Sequence, residues 1–267
     1  MGNSEISARE LILSLIDSSS QARLSAAYFV AAGALFDMDS GTIRVALARL
    51  VRDGALKSVR RGQYTLDNRS GELHQRVRGW ADVESGLRAW NGGWLTVYLG
   101  HLKRSEKTRQ RGRERALRLG GFASLDTGLW IRPDNLEASG ILVRDRLVAL
   151  GLDQTAWLAV ASSLNSSVEI QPQRLWDIPD LEARYRSQTT RLRNSRERLP
   201  SIDDNEAARE TLLVGRSVTR DILLDPLLPE ALCDTRLRTT MIEEMRDYDR
   251  IGKTLWRAFY GRFLGNL

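Results

Sequence analysis

The 267-residue sequence predicts an α+β protein, and three observations predict it. Short helical patterns closed by an alternating hairpin fill the first quarter. Strand and helix patterns then alternate between residues 93 and 172. Beyond Pro172 the apolar spacing is almost wholly helical. A 42% share of hydrophobic residues is enough to bury a core in a chain of this length.

Ser7 and Glu10 stand at capping-box spacing, and Leu11, Leu15 and Ile16 share one face of a first helix. Ser18, Ser19 and Ser20 end it. Ser25 caps a second apolar-faced stretch reaching Phe36, and Asp37 to Gly41 make a polar turn. A third helix runs from about Ser40 to Arg52, with Ile43, Leu47 and Leu50 on its buried stripe. Gly54 suits a helix C-terminus, and residues 55–66 read as two short strands around the Arg61-Gly62 turn. Helix, turn, helix and basic hairpin in this order predict a winged helix-turn-helix over residues 1–70.

The third helix has a second face of a different kind. At about 100° per residue, Arg44, Val45, Ala48, Arg49 and Arg52 project away from the buried stripe. Arginine can bond a guanine edge bidentately, and small or branched apolar groups such as Ala48 and Val45 fit against thymine methyls. Thr42, with Ser40 beside it, is placed to bond a phosphate at the helix start. Lys57, Arg60 and Arg61 of the hairpin, with Gln63, are placed to follow the DNA backbone or the adjacent minor groove. Each feature alone also suits a solvated helix face or an ordinary hairpin tip. Together they favour duplex DNA.

Residues 71–92 read as a connecting segment, with an amphipathic helix from Leu73 to Ala89. Strand 94–99, basic helix 105–119, strand 122–125, turn 126–128, strand 129–132, helix 136–150 and strand 157–161 follow. This β-α-β-β-α-β order predicts a ferredoxin-like domain over residues 93–172. The strongly basic run from Lys103 to Arg118 suits contact with DNA backbone or with acidic ligand groups, and by default reads as a solvated face. Residues 173–267 read as a helical domain with helices at 175–194, 206–222 and 235–264, separated near Pro200 to Asn205 by a polar break. Trp256, Phe259, Tyr260 and Phe263 read as core or dimer interface.

The formal charge of +6 favours a polyanionic partner. Cys233 is the only cysteine, so the chain forms no internal disulfide; it reads as a core residue in a reducing, cytoplasmic protein. The first residues carry no basic stretch followed by an apolar one, Gly2 lacks Ser or Thr at the sixth position for myristoylation, and no apolar run reaches the ~20 residues that span a bilayer. His74 and His101 are isolated, which leaves no parts for a catalytic triad or zinc site, so neither an enzyme nor a cofactor is expected. Gly252-Lys253-Thr254 lacks the glycine that a phosphate-binding loop needs at position 247, where Asp247 stands. A ferredoxin-like metal nuclease needs acids at the end of its first strand, which here reads Tyr98-Leu99-Gly100-His101. The competing class is a non-catalytic RNA- or ligand-binding protein that uses its central sheet, with Tyr98 and Trp130 as the candidate stacking residues.

Four segments in order carry a family resemblance: Arg44 to Gly54 with the following hairpin, Gly121 to Pro133, Leu175 to Leu181 with Tyr185, and Asp225 to Leu232. The sequence resembles the PaaX-type regulators, named for the repressor of phenylacetic acid degradation. The resemblance implies a homodimeric repressor of a catabolic operon, relieved by a small effector of the aryl- or acyl-coenzyme A type. It also implies a non-catalytic central domain similar to small CRISPR-associated nucleases. By residue it supports Arg44, Arg49 and Arg52 in a recognition helix and Arg61-Gly62 as the wing turn. The chain departs from the family after Leu232, where a short tryptophan-and-glycine segment is replaced by the longer, charged stretch from Cys233 to Arg250. That departure points to a different effector or to none.

Overall fold

The structure is a computed structural model that describes residues 6–19, 23–67, 71–102, 106–138, 140–164 and 171–262. Of the basic run beginning at Lys103, residues 103–105 lie outside this set, as do Phe263 and Leu264. In chain order the elements are α1 (Ala8–Ser18), β1 (Leu24–Ser25), α2 (Ala26–Ala34), α3 (Ser40–Arg52), β2 (Leu56–Arg60), β3 (Gln63–Leu66) and α4 (Gly71–Arg78). Then come β4 (Trp94–Tyr98), α5 (Lys107–Leu119), β5 (Ala123–Asp126), β6 (Leu129–Pro133), α6 (Gly140–Ala149) and β7 (Trp157–Ala161). The chain closes with α7 (Pro172–Leu175), α8 (Ile178–Arg198), α9 (Asp204–Leu223) and α10 (Thr235–Gly261). The protein is α+β, with two antiparallel sheets.

Two compact units form. The first comprises Met1–Arg78, Thr189–Thr219 and Glu243–Leu267. Its core joins Leu11, Ile12 and Leu15 of α1 to Phe29 of α2 and to Ile43, Leu47 and Leu50 of α3. Ala208, Leu212, Trp256 and Phe259, from far along the chain, enter the same core. Tyr28 meets the Tyr260 ring edge-on at 5.0 Å, a preferred aromatic geometry. Glu10 closes the capping box with Ser7 and also accepts from Arg216, so the first turn of α1 is tied to α9.

The second unit comprises Gly79–Gln188 and Arg220–Ile242. Its sheet has the order β5-β6-β4-β7. Along β4, Leu95 and Val97 point into a core shared with Ala116 and Leu117 of α5 and Val143 and Leu147 of α6. By strand alternation Trp94, Thr96 and Tyr98 take the other face. Arg113 reaches from α5 to both oxygens of Asp153, and that guanidinium holds the Asp153 carboxyl below its ordinary range.

Some boundaries differ from the sequence reading. The connecting helix expected to reach Ala89 stops at Arg78, because Trp80 turns inward to a buried position and Leu87 bridges to Leu136. That bridge also delays α6 to Gly140. The helix expected from Leu175 divides at Asp177, whose φ of 44° lies outside the right-handed helical region.

Candidate nucleic-acid interface

α3 begins at an acidic cap. Asp39 Oδ1 accepts from the backbone N–H of Thr42 at 2.9 Å, and the Thr42 hydroxyl donates to Asp39 Oδ2 at 2.6 Å. These bonds, the hydroxyl's first, hold the Asp39 carboxyl below its ordinary range. The Thr42 hydroxyl that the sequence assigns to a phosphate is therefore engaged by its own helix cap. Ser40 is exposed beside it. The helix begins at Ser40 as the sequence predicts, and Asp39, an acid three residues before Thr42, is its cap.

Position along the helix sorts the remaining side chains. Ile43, Leu47 and Leu50 are buried, while Arg44, Val45, Ala48, Arg49 and Arg52 are all exposed. The five exposed positions fall within an arc of about 140° at 100° per residue, so a single flat surface can meet them all. Val45 is 51% exposed, an apolar group held in water between arginines. The buried stripe fixes how this face is presented. Gly33 of α2 lies so close to α3 that a Cβ there would stand 2.6 Å from Ile43 Cγ1.

The C-terminal end of α3 is anchored by charge. Arg9 Nη1 donates to Asp53 Oδ2 at 3.1 Å, and Arg52 Nε lies 3.7 Å from the same carboxylate. Arg44 and Arg49 differ from Arg52. Neither they nor Lys57, Arg60 and Arg61 form an ion pair among the described residues. Five cations are thus left unneutralised on α3 and the hairpin that follows it.

Gly54, at φ 72°, turns the chain out of α3 into that hairpin. β2 and β3 pair Leu56 with Leu66, Lys57 with Thr65 and Ser58 with Tyr64, and after an irregularity at Val59 they pair Arg60 with Gln63. The turn at Arg61 and Gly62 uses φ 73° at the glycine. β1 supports β3 through Leu24 opposite Tyr64 and Ser25 opposite Gln63, and Ala26 N–H donates to the Gly62 carbonyl at 2.8 Å. Lys57, Arg60 and Arg61 are exposed on this braced hairpin, whereas Gln63 is half-buried between two strands. Val59 is a second exposed apolar side chain here, which the charge pattern of the hairpin does not single out.

Elsewhere the cysteine and the histidines make internal contacts. Cys233 is buried, and burial pushes its thiol up to about 11. His74 Nδ1 lies 3.2 Å from both Asp17 oxygens, and His101 Nε2 lies 2.9 Å from the Thr155 carbonyl oxygen. Gly252, Lys253 and Thr254 sit inside α10, where Gly252 packs against Thr211. Among the described residues no three His, Cys, Asp or Glu side chains gather to hold a metal, and no helix is long and apolar enough to cross a membrane.

No family model and no curated protein matches the sequence. Among solved structures, the uncharacterized protein Rv0674 from Mycobacterium tuberculosis is similar with a TM-score of 0.62 at 22% identity, covering 95% of this chain and 98% of that chain. The similarity shows a shared fold.

Proposed function

We propose that this chain is a sequence-specific, duplex-DNA-binding transcription regulator of the PaaX type, acting as a homodimeric, effector-responsive repressor in the cytoplasm. The observation that carries the reading is the face of α3. Two unpaired arginines and Arg52 flank an exposed Val45 and Ala48, beside a braced hairpin that ends in Arg60 and Arg61. A lone exposed valine suits a solvated face as well, and it is its place on one arc with unpaired arginines that supports a contact surface. A face that enters the major groove uses arginine for guanine edges and the apolar groups for thymine methyls.

In this reading α1 to α3 with the β1-β3-β2 sheet are a winged helix-turn-helix, and α5 and α6 on the β5-β6-β4-β7 sheet are a ferredoxin-like domain. Two α3 helices of a dimer would occupy successive major grooves, and an acyl-coenzyme A type ligand would act by changing their spacing.

The test is a titration of the purified chain against fluorescent fragments of its own upstream intergenic DNA, with random duplex as competitor at physiological salt. Preference for one fragment by ~10³-fold or more is the expected result. Equal, salt-labile binding to all duplexes would reduce the arginine face to a general electrostatic patch.

A further inference from the structure

Eight large apolar side chains are exposed among the described residues. Val45 and Val59 belong to the surface proposed for DNA. Five others, Tyr98, Ile141, Leu142, Trp157 and Val160, lie on β7 or on β4 and α6, the two elements packed against it. Tyr98 and Trp157 flank the β7 edge on one face of the sheet, and Val160 with Ile141 and Leu142 of α6 flank it on the other; exposed apolar groups gathered at one edge mark an interaction site, since scattered ones would need no explanation.

β7 is an outermost strand. β4 lies on one side of it, and among the described residues no strand lies on the other. Its sequence, Trp157-Leu158-Ala159-Val160-Ala161, contains neither charge nor proline, the usual means by which a solvent-facing edge is kept from pairing. Both faces of this strand keep exposed apolar groups, although α6 and the partly buried Leu158 cover part of the Leu95 side. Trp157 shares a face with its cross-strand partner Tyr98 and is 64% exposed, and Val160, on the opposite face with Leu95, is 61% exposed.

We infer that β7 pairs edge to edge with β7 of a second copy of this chain, antiparallel about a two-fold axis at Ala159. The strand is complementary to its own reverse. Trp157 would stand opposite Ala161, Leu158 opposite Val160 and Ala159 opposite itself, so the largest side chain meets a small one and the axis passes a methyl group. Charge selects the same place. Each copy carries +6, and α5 presents exposed Lys107, Arg111 and Arg115, so two copies repel over much of their surface but not along an uncharged strand. The indole at the strand's end is already positioned. Trp157 packs against His101 at 5.0 Å and Tyr98 at 5.8 Å between ring centres, which lowers the entropic cost of fixing it in an interface.

This inference supplies the surface for the dimer of the proposed function, and it uses none of the α3 or hairpin cations, so the two can fail separately. Sedimentation of the full chain should give twice its 30.1 kDa mass. The double variant Trp157→Lys/Val160→Glu should raise the dimer dissociation constant by ~30-fold or more, the size of loss typical of an anchoring interface side chain. Circular dichroism should show it folded, because both positions are exposed. Arg49→Ala should leave the dimer mass unchanged. Ala159→Cys should give a disulfide-linked dimer on oxidation, since directly opposed Cα atoms of an antiparallel pair lie within disulfide range, whereas Ala161→Cys should not. A monomeric wild type at ~100 μM, well above the dissociation constants of stable dimers, would overturn the inference. So would a dimer indifferent to the double variant, a dimer in which Ala159→Cys fails to crosslink, or a monomer whose Trp157 instead binds a single-stranded oligonucleotide.

Discussion

Gly121 faces the carbonyl oxygen of Pro226 so closely that a Cβ on Gly121 would stand 2.7 Å from that oxygen. The glycine also adopts φ 78°, a left-handed conformation that side chains resist. Its own carbonyl accepts from Trp176 Nε1 at 3.2 Å, and nearby Asn135 Nδ2 donates to the Leu227 carbonyl at 2.8 Å. Three segments distant in sequence, around residues 121, 176 and 226, therefore close on one another through the backbones of Gly121 and Pro226 and the indole of Trp176. Gly121→Ala is expected to destabilise the protein by about 2–3 kcal/mol, the sum of a strained backbone and a contact that backbone atoms cannot easily relieve. Urea denaturation of the variant checks this, and an unchanged midpoint would mean that the Pro226 segment moves aside freely.

Arg238 is a buried cation of the same unit. Nε donates to Glu84 Oε1 at 2.8 Å, Nη1 donates to the Leu228 carbonyl at 2.9 Å, and Asp225 lies 4.0 Å away. Glu84 accepts in addition from the Thr239 hydroxyl at 3.1 Å. Removing the guanidinium leaves the fully buried Asp225 carboxyl without its cation, so Arg238→Met should cost about 3–5 kcal/mol. Restoring neutrality in Arg238→Met/Asp225→Asn should recover part of that loss. A double variant no more stable than the single one would show that Asp225 is not what makes the loss large.

These two clusters explain why part of the fold was legible in the sequence and part was not. Local rules read well. The Ser7 and Glu10 capping box, the Ser25 cap, the α3 stripe of Ile43, Leu47 and Leu50, and the Arg61-Gly62 turn each depend on residues a few positions apart. Strand 94–99 and helix 206–222 were placed within two residues of β4 and α9. Long-range rules did not read. Nothing near Gly121 announces Pro226, and nothing near Trp80 shows that its burial will end the connecting helix. Ala208 and Phe259 carry ordinary helical periodicity, which says that they are buried but not that they share a core with Leu11 and Ile43. At the candidate interface the exposed side chains could be sorted by helical angle alone. The engagement of Thr42 by Asp39 has a local signal in the acid three residues before it, whereas the half-burial of Gln63 depends on a sheet order that no local rule gives.

Glu10 gives the fold a response to acid. Arg216 above all, and then the Ser7 backbone and hydroxyl, hold its carboxyl down to about 2, against an ordinary value of 4.5. Because the folded value lies below the unfolded one, the stabilisation is complete above about pH 4.5 and is lost as pH falls toward 2. The pair is partly exposed, so solvent screening reduces its worth to the order of 1 kcal/mol. Glu10→Gln should lower stability at pH 7 and flatten its decline between pH 4.5 and 2, measured by chemical denaturation across that range. An identical pH slope in wild type and variant would place the acid sensitivity elsewhere.

Arg49 and Arg61 are both exposed and unpaired, yet they should fail differently. Arg49 lies on the helix face that would look into the groove. Its replacement by alanine should cost about 1–3 kcal/mol on the specific site, relax preference at one base position, and change binding to random duplex little. Arg61 lies at the hairpin turn, where a guanidinium meets phosphate. Arg61→Ala should weaken specific and random DNA alike and lower the slope of log affinity against log salt by about 1. Fluorescence anisotropy over a salt series on both duplexes separates the two. If both variants lose specific and random binding equally, then α3 carries charge without reading sequence, and the assignment of its apolar groups to thymine methyls falls with it.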